Sequence, residues 1–259
     1  MKKIRIKTAL VSVSDKTNLI KLASYFVDNN ILVISSGGTF KYLKKLNPKL
    51  KLIEVSDYTK FNEILDGRVK TLHPFIHAGI LADKNKASHI NQLSHLKTNP
   101  IDLVIVNLYP FEKTINKTSI ETKCIENIDI GGPSLIRGAA KNYKSVVAVT
   151  SPNQYDELIA EANKNKNCIS SNFSKKLAIE AFKHTAYYDT IIANWFDKHN
   201  EIYQSNNITI PFKKVNNLRY GENPHQKAAI FSLGNNEVKK ISGKDLSYNN
   251  IVDLEIAFE

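Results

Sequence analysis

The sequence predicts an α/β protein in which helices cover both faces of a parallel β-sheet in three layers, followed by the beginning of a second, α+β domain. Short β-branched apolar runs alternate with helical patterns five times before residue 199, which is typical of a parallel sheet. Residues 101–106 form a near-continuous apolar run, as a strand buried on both faces requires. A polar stretch at 199–207 then separates this region from strand-like runs beyond it.

The expected elements follow the chain in order. The strands of the sheet are predicted at residues 8–13, 31–34, 50–55, 101–106 and 146–149. Helical spacing of apolar side chains predicts helices at 18–28, from the turn at 35–39 onward, at 58–65, 89–97 and 118–125, from 133 onward, and at 175–196. In the second domain we expect strands at 208–212, 228–231 and 237–241, a hairpin turn at 234–236, and a helix from 247 to 259.

Composition excludes several classes of protein. The hydrophobic content of 42% and mean hydropathy of −0.29 are ordinary for a globular protein, and no apolar run approaches the ~20 residues that span a bilayer. The two cysteines, Cys124 and Cys168, have no metal-like spacing, which favours a reduced, cytoplasmic protein without a metal site. The net charge of +11 comes from lysines spread along the whole chain, so it indicates a small anionic substrate and not a nucleic-acid partner.

A loop at residues 66–79 carries the densest group of reactive side chains. Arg68 and Lys70 are separated by one residue, so in an irregular loop both can address one anion. Pro74 disfavours helix at His73, which favours a loop over a solvated helix face. A basic surface loop before a short helix explains the same residues. His73 and His77 lack the neighbouring Glu of a zinc motif, so we expect a structural role for them and no metal.

Other polar groups follow the ends of predicted strands. The turn at 36–39 contains two glycines and two hydroxyls and can cradle a phosphate, although an ordinary tight turn is equally consistent with it. Asn107 and Tyr109 follow the most apolar strand, at the edge where open α/β sheets bind ligands. Farther on, Asp129 precedes a Gly-Gly helix entry, and Arg137 and Lys141 share one face of that helix. That arrangement also fits an ordinary surface network.

Six segments, at 12–17, 36–39, 67–74, 107–111, 129–132 and 139–142, together resemble one family in correct order. It is the family of bifunctional purine-biosynthesis proteins that join IMP cyclohydrolase to AICAR transformylase. The resemblance implies that residues 1–198 form the cyclohydrolase domain, with a methylglyoxal-synthase-like fold. Residues 199–216 would be a linker. Residues 217–259 would begin the transformylase domain, because 218–226 resemble its opening motif.

The resemblance implies that the first domain closes the ring of 5-formamidoimidazole-4-carboxamide ribotide, with loss of water, to give inosine monophosphate. Attack by a carboxamide nitrogen needs a base, donors for the oxyanion and an acid for the departing hydroxide. Lys141 matches the acid–base lysine of the family, and by analogy Lys70 and Tyr109 would stabilise the oxyanion and handle protons. Asp129 would hold the amide edge or tune a lysine.

The resemblance also implies which residues bind nucleotides. The residues expected to bind the cyclohydrolase substrate are Ser14, Asp15, Lys16, Ser36, Gly37, Gly38, Thr39, Arg68, Val69, Thr71, Val106, Asn107, Ile130, Gly131 and Arg137. Arg219 and Tyr220 match positions that contact the transformylase substrate. Which loop holds the phosphate and which holds the base stays open at this stage.

The partners expected from the resemblance are a purine ribonucleotide and, in full-length relatives, a second copy of the chain. Ring closure is expected to need no cofactor, and 10-formyltetrahydrofolate would serve only the transformylase portion. The catalytic Lys-His pair of that portion would lie beyond residue 259, so formyl transfer is not expected from these residues. Two alternatives remain: a non-catalytic effector-binding domain of the same fold, and a basic RNA-associated module supported only by net charge.

Overall fold

The computed structural model describes residues 3–200, 207–233 and 242–258, without the side chains of 198–200 and 258. Its strands are β1 (Lys3–Arg5), β2 (Thr8–Val13), β3 (Leu32–Ser35), β4 (Lys51–Glu54), β5 (Leu103–Asn107), β6 (Val147–Val149), β7 (Cys168–Ser170), β8 (Lys213–Asn217) and β9 (Ala229–Ser232). Its helices are α1 (Leu19–Asp28), α2 (Gly37–Leu46), α3 (Val55–Thr59), α4 (Pro74–Leu81), α5 (Ala87–His95), α6 (Phe111–Ile115), α7 (Glu121–Glu126), α8 (Gly131–Lys141), α9 (Tyr155–Lys164), α10 (Ser171–Asn200) and α11 (Tyr248–Phe258).

The chain divides into two compact units, Met1–Asp189 and Thr190–Glu259. In the first unit, five strands form a parallel sheet in the order β4-β3-β2-β5-β6. The central strand, β2, is almost wholly buried, and Ala9 lies opposite Val33 on one side and Leu103 on the other. Burial on both faces explains why these strands read as apolar runs, and the predicted α/β class is confirmed. Strands β1 and β7 form a separate antiparallel pair.

The core of the first unit packs α1 and α9 against the sheet. Phe26 on α1 and Tyr155 on α9 are 1% exposed, and they belong to the same apolar cluster as Val11 and Ile105. Sequence analysis missed α9, although Tyr155, Leu158 and Ala162 recur at helical spacing and are buried. It also missed β1, β7 and α6, which at three to five residues give almost no periodic signal.

Two predicted elements of the chain are wrong. The helix expected at 58–65 is instead α3, which ends where Lys60 takes a left-handed conformation with φ of 57°. The strand expected at 208–212 forms at β8, beyond Pro211, which has no N–H to donate to a partner strand. The turn at 234–236 and the strand at 237–241 lie outside the described residues.

The described part of the second unit contains an antiparallel pair and a helix. Strands β8 and β9 pair with an irregularity between Lys214 and Asn216, and α11 confirms the helix predicted at the end of the chain. The predicted boundaries of the two domains stay predictions. Across the described segments, no helix has the length and apolar character needed to cross a bilayer.

Candidate active site

A cavity of about 730 Å³ lies at the carboxyl ends of the central strands. Val13 at the end of β2, Ser36 after β3 and Asn107 at the end of β5 all line it. Ligands of open parallel sheets bind at this edge, because the loops that leave neighbouring strands meet there. The cavity therefore brings together segments that are far apart in the sequence.

The turn between β3 and α2 presents backbone N–H groups to the cavity. Gly37, at the first position of α2, has φ of 53°, a conformation that a side chain disfavours. The first N–H groups of a helix have no partner inside the helix, so they are available to an anion. Thr39 does not add a free hydroxyl, because its Oγ1 accepts from the Val13 N–H at 3.1 Å and donates to the Val13 carbonyl at 3.0 Å.

Asn107 fixes the loop that follows β2. Its Oδ1 accepts hydrogen bonds from the N–H and the hydroxyl of Ser14 and from the N–H of Asp15, at 2.7, 2.8 and 2.9 Å. Its Nδ2 donates to the Asp15 carbonyl at 2.9 Å. Because the amide is occupied in this way, Asn107 positions the Ser14 loop and has little capacity left for a ligand.

The loop that carries Arg68 and Lys70 is closed by a short antiparallel bridge. The N–H of Ile64 donates to the Val69 carbonyl at 3.2 Å, and the N–H of Val69 donates back to the Ile64 carbonyl at 3.3 Å. Leu65, Asp66 and Gly67 between them all have positive φ, at 54°, 53° and 86°. Left-handed non-glycine residues cost free energy, and such strain concentrates at functional sites.

Lys70 lies in a recess formed by two glycines. A Cβ built on Gly67 would lie 2.8 Å from the Lys70 Cε, and one built on Gly37 would lie 3.4 Å from its Nζ. The side chain therefore passes where other residues would have a side chain of their own. Its Nζ forms an ion pair of 3.1 Å with Glu63.

Positively and negatively charged side chains line the cavity in equal number. Lys16, Arg68 and Lys70 supply three cations, and Asp66, Glu126 and Asp129 supply three carboxylates. Arg68 is paired with Glu126, and Lys70 with Glu63 outside the lining. Both cations of the loop thus already have carboxylate partners, which an anionic ligand would replace. Sequence analysis inferred a small anionic substrate from the net charge of the chain, whereas the residues that line this cavity carry no net charge.

Asp129 is half-buried at the start of α8. Its Oδ1 accepts a hydrogen bond of 2.7 Å from the Gly132 N–H. Burial raises the pKa of the Asp129 carboxyl, and the N–H groups of Gly132 and Tyr109 oppose this rise. A Cβ on Gly132 would overlap Asp129 Oδ2 and approach Leu108 Cδ2 to 2.7 Å, so the carboxylate needs glycine at this position.

Tyr188 of α10 supports the Asp129 turn from behind. Its phenol oxygen accepts a 2.8 Å hydrogen bond from the Asp129 N–H and donates to the Asn127 carbonyl at 3.3 Å. Burial raises the pKa of Tyr188 to about 12, so the phenol is neutral near pH 7. Sequence analysis assigned no functional role to Tyr188, and only the contact between distant segments reveals this one.

Most of the predicted substrate residues line the cavity. The lining residues among them are Ser14, Lys16, Ser36, Gly37, Gly38, Thr39, Arg68, Lys70, Thr71, Val106, Asn107, Tyr109, Asp129, Ile130 and Gly131. Thr71 is buried, and its Oγ1 lies 3.1 Å from the position of a Cβ on Gly131. The loop that carries Arg68 and Lys70 therefore meets the start of helix α8 at Thr71 and Gly131.

Four predicted residues do not line the cavity. Asp15 accepts a hydrogen bond from the Thr17 N–H at 2.9 Å and closes a turn, while Val69 forms the bridge already described. Arg137 is exposed over the ring of Phe182 at 5.6 Å. Lys141 is exposed at the last position of α8, ten residues from Gly131, and therefore ~15 Å along the helix from the end that borders the cavity.

The remaining candidates lie elsewhere. His73 Nδ1 accepts from the Phe75 N–H at 3.2 Å and caps α4, which is a structural role. In the second unit, the Arg219 guanidinium lies 4.8 Å from the centre of the Tyr220 ring and donates to its hydroxyl at 3.1 Å. The described residues contain no group of three or more side chains suited to a metal ion.

Two family models match the chain. The MGS-like domain matches residues 18–134, and the AICARFT/IMPCHase bienzyme matches residues 139–259. A crystal structure of ForH is similar in fold, with a TM-score of 0.65 and 28% identity, over 74% of this chain and 99% of that one.

Curated relatives are similar along almost the whole chain. The bifunctional purine biosynthesis protein PurH of Prochlorococcus marinus (strain MIT 9515) is 49% identical over 253 residues, which are 96% of this chain and 48% of the relative. The protein of the same name from Acetivibrio thermocellus is 45% identical over 262 residues, covering 98% of this chain and 50% of the relative. The chain therefore spans about half the length of these relatives.

Proposed function

The chain belongs to the family of bifunctional purine biosynthesis proteins that the AICARFT/IMPCHase match describes, and from this premise we propose that its first unit is an IMP cyclohydrolase. The proposed reaction is the ring closure of 5-formamidoimidazole-4-carboxamide ribotide to inosine monophosphate in purine biosynthesis. The observation that carries the proposal is that Lys70, Tyr109 and Asp129, from three separate segments, line one cavity at the ligand-binding edge of the sheet.

In this proposal the turn between β3 and α2 holds the 5′-phosphate. The free N–H groups at Gly37 and Gly38 begin a ten-residue helix, whose dipole favours an anion at that end. Lys16 lines the same cavity and adds a positive charge. The base would then extend toward the start of α8, where Tyr109 and Asp129 lie.

The chemistry joins the carboxamide nitrogen to the formyl carbon. As the C–N bond forms, the formyl oxygen gains negative charge, and the nitrogen gives up a proton that is returned to this oxygen to form a hydroxyl group. The resulting carbinolamine then loses its hydroxyl group, with a proton, as water. We assign stabilisation of the oxyanion to Tyr109 and to Lys70, whose flexible stem lets its ammonium group enter the cavity once it leaves Glu63.

Asp129 is proposed to hold the carboxamide. A carboxylate accepts hydrogen bonds from an amide N–H, and the Gly132 N–H fixes the orientation of this one. Because burial raises its pKa, Asp129 is a better proton acceptor than an exposed carboxylate. Lys141 keeps its acid–base role only as an expectation from the resemblance, because it does not line the cavity.

The remaining proposals follow from the reaction and from the relatives. Loss of water changes no oxidation state, so we propose that ring closure needs no redox cofactor. We assign 10-formyltetrahydrofolate to the transformylase activity of the longer relatives, and we propose a homodimer for proteins of that length. We also propose that the protein acts in the cytoplasm on a purine ribonucleotide.

The test is to follow the absorbance change as the purified chain converts the formylated ribotide, with a parallel chromatographic assay for inosine monophosphate. We expect turnover that Asp129→Asn reduces sharply. The matched control is Asp28→Asn, at the end of α1 and outside the cavity lining. An effector-binding domain would retain the nucleotide unchanged, and an RNA-associated module would not bind it. Either result would contradict the proposal.

A further inference from the structure

A second cavity, of about 440 Å³, lies at the opposite edge of the sheet. It is lined by Thr8 at the amino end of β2, by Asp102 directly before β5, and by Ser145 two residues before β6. The strands are parallel, so this edge is the one that faces away from the candidate active site. None of the residues predicted to bind a nucleotide lines this cavity.

The floor of this cavity is an ion pair between Lys84 and the buried Asp102. Asp102 is 6% exposed. Its Oδ2 accepts from the N–H groups of Lys7 and Thr8 at 2.7 and 2.8 Å, and its Oδ1 is paired with Lys84. The Lys84 ammonium also donates to the Ser145 carbonyl at 2.6 Å. The carboxylate is thus neutralised locally and fixes the geometry of the floor.

The rim of the cavity carries positive charge that the residues described by the structure neutralise only in part. Lys3, Arg5, Lys7 and Lys144 line it together with Lys84, and Asp102 is the one carboxylate in this lining. Lys3 donates to the neutral Asn165 side chain at 2.6 Å. Within the described residues, the side chains of Arg5, Lys7 and Lys144 form no ion pair. Five cations and one carboxylate leave four positive charges around a small concave site.

The charge and size of the cavity define the ligand. A cleft lined by one sign of charge concentrates the opposite ion, and 440 Å³ lies within the range of small-molecule sites. A single phosphate carries at most two negative charges near pH 7, which would neutralise about half of the four positive charges around this cavity. Ile4, Ile90 and Pro100 supply an apolar wall that an organic group can contact.

We propose that this cavity binds a small molecule that carries a chain of adjacent phosphates, such as a nucleoside diphosphate or triphosphate. The phosphates occupy the space between Arg5, Lys7 and Lys144, and the organic portion lies against the apolar wall. The proposal is independent of the cyclohydrolase assignment, because the two cavities share no residue.

The experiment is calorimetric titration of the chain with inorganic tripolyphosphate, with orthophosphate and with ATP, at 50 and 200 mM salt. The test variant is Arg5→Gln/Lys144→Gln, which removes two exposed cations of the rim. The matched control is Lys41→Gln/Lys45→Gln, which removes two exposed lysines of α2. Lys70→Gln, in the other cavity, shows whether binding occurs there instead.

We expect tripolyphosphate to bind more tightly than orthophosphate, and to weaken roughly tenfold or more in Arg5→Gln/Lys144→Gln. The Lys41→Gln/Lys45→Gln and Lys70→Gln variants should bind as the unchanged chain does. ATP should bind at least as tightly as tripolyphosphate, because the apolar wall adds contacts.

Three results would overturn the proposal: no saturable binding, equal weakening in both double variants, or loss of binding in Lys70→Gln alone. ATP binding that is clearly weaker than tripolyphosphate binding would also contradict the proposal that the organic portion of the ligand contacts the apolar wall. Thermal unfolding checks that each variant is folded. If Arg5→Gln/Lys144→Gln is not, Lys7→Gln/Lys144→Gln replaces it, because the backbone N–H of Lys7 that contacts Asp102 is kept.

Discussion

The phenol oxygen of Tyr188 accepts a 2.8 Å hydrogen bond from the backbone N–H of Asp129, and so joins α10 to the turn that carries the half-buried carboxylate. The same oxygen donates to the Asn127 carbonyl at 3.3 Å. One side chain thus holds both ends of a three-residue turn, 59 residues away in sequence from Asp129. Tyr188 is therefore a positioning residue for the site: it does not line the cavity itself, but it contacts Asp129, which does.

Replacing Tyr188 by Phe tests this positioning role. The change keeps the ring but leaves the Asp129 N–H without its acceptor, so we expect a stability loss of about 1 kcal/mol and a fall in kcat of roughly tenfold. KM should change less than kcat, and the pH profile of kcat should shift because Asp129 is reoriented. The control is Tyr187→Phe, whose hydroxyl contacts Glu112 at 3.2 Å instead. Equal effects of the two variants would show that Tyr188 is merely structural.

Lys70→Gln tests the proposed cation at the oxyanion. The amide fills a similar space between Gly37 and Gly67 but removes the charge, so kcat for ring closure should fall by about 10²–10³. Steady-state kinetics of the formylated ribotide give the measurement. Lys45→Gln, an exposed change on α2, should leave the rate as it is. A rate that survives in Lys70→Gln would remove Lys70 from the mechanism.

Glu63→Gln tests whether the carboxylate competes with the substrate for Lys70. The two side chains form an ion pair of 3.1 Å, and the glutamate is more than half exposed. Exposed pairs are weak, so removing the competing charge should tighten nucleotide binding by no more than roughly fivefold. Calorimetric titration with inosine monophosphate measures this change. Weaker binding in Glu63→Gln would mean that Glu63 orients Lys70 and does not compete for it.

Two half-buried histidines predict a dependence of stability on pH. Burial lowers the pKa of His77 and His184 below the ordinary value of 6.5. The unfolded chain therefore binds protons that the folded chain resists, so the free energy of unfolding falls as pH drops through about 6.5 toward the folded pKa values. Each histidine contributes at most about 1.4 kcal/mol per pH unit.

Denaturant titrations between pH 7.5 and 5.5 measure this dependence. The His77→Gln/His184→Gln variant should lose stability with falling pH more slowly than the unchanged chain. His95→Gln, at an exposed position at the end of α5, should keep the original slope. An unchanged slope in the double variant would locate the acid sensitivity elsewhere.

Lys141→Gln tests whether Lys141 has the acid–base role that the family resemblance implies, although the residue lies outside the cavity lining. The lysine is exposed at the far end of α8 and does not line the cavity, so we expect turnover to fall much less than in Lys70→Gln. Stability should decrease slightly, because a cation at the last turn of a helix interacts favourably with the helix dipole. The same ring-closure assay measures the rate. A loss as large as that of Lys70→Gln would show that Lys141 reaches the substrate by a rearrangement.

The sheet could be predicted from the sequence because strands that are buried on both faces appear as nearly continuous apolar runs. The apolar runs that became β2 and β5 needed no distant information, and their order in a parallel sheet placed Ser14 and Asn107 at one edge. The structure brings the Ser14 hydroxyl to 2.8 Å from Asn107 Oδ1. Local pattern was therefore enough to predict which segments gather at the cavity.

The sequence could not predict which side chains remain free there. Thr39 and Asn107 have ligand-like side chains, but their polar atoms are occupied by neighbouring backbone groups. The partners Glu63 and Glu126 are set by how the loops fold over the edge, which no local pattern encodes. Lys141 was grouped with Asp129 through the family resemblance, and a match of motifs along the sequence says little about distance along the axis of α8.

Strand β2 runs from one cavity to the other, from Thr8 at the basic rim to Val13 at the candidate active site. Its five residue steps place the two ends ~17 Å apart, which is about two Debye lengths at physiological ionic strength. Salt therefore screens the electrical effect of one occupied end on the other along any path through solvent. Communication through the protein interior would run along a strand that is held on both sides by its neighbours.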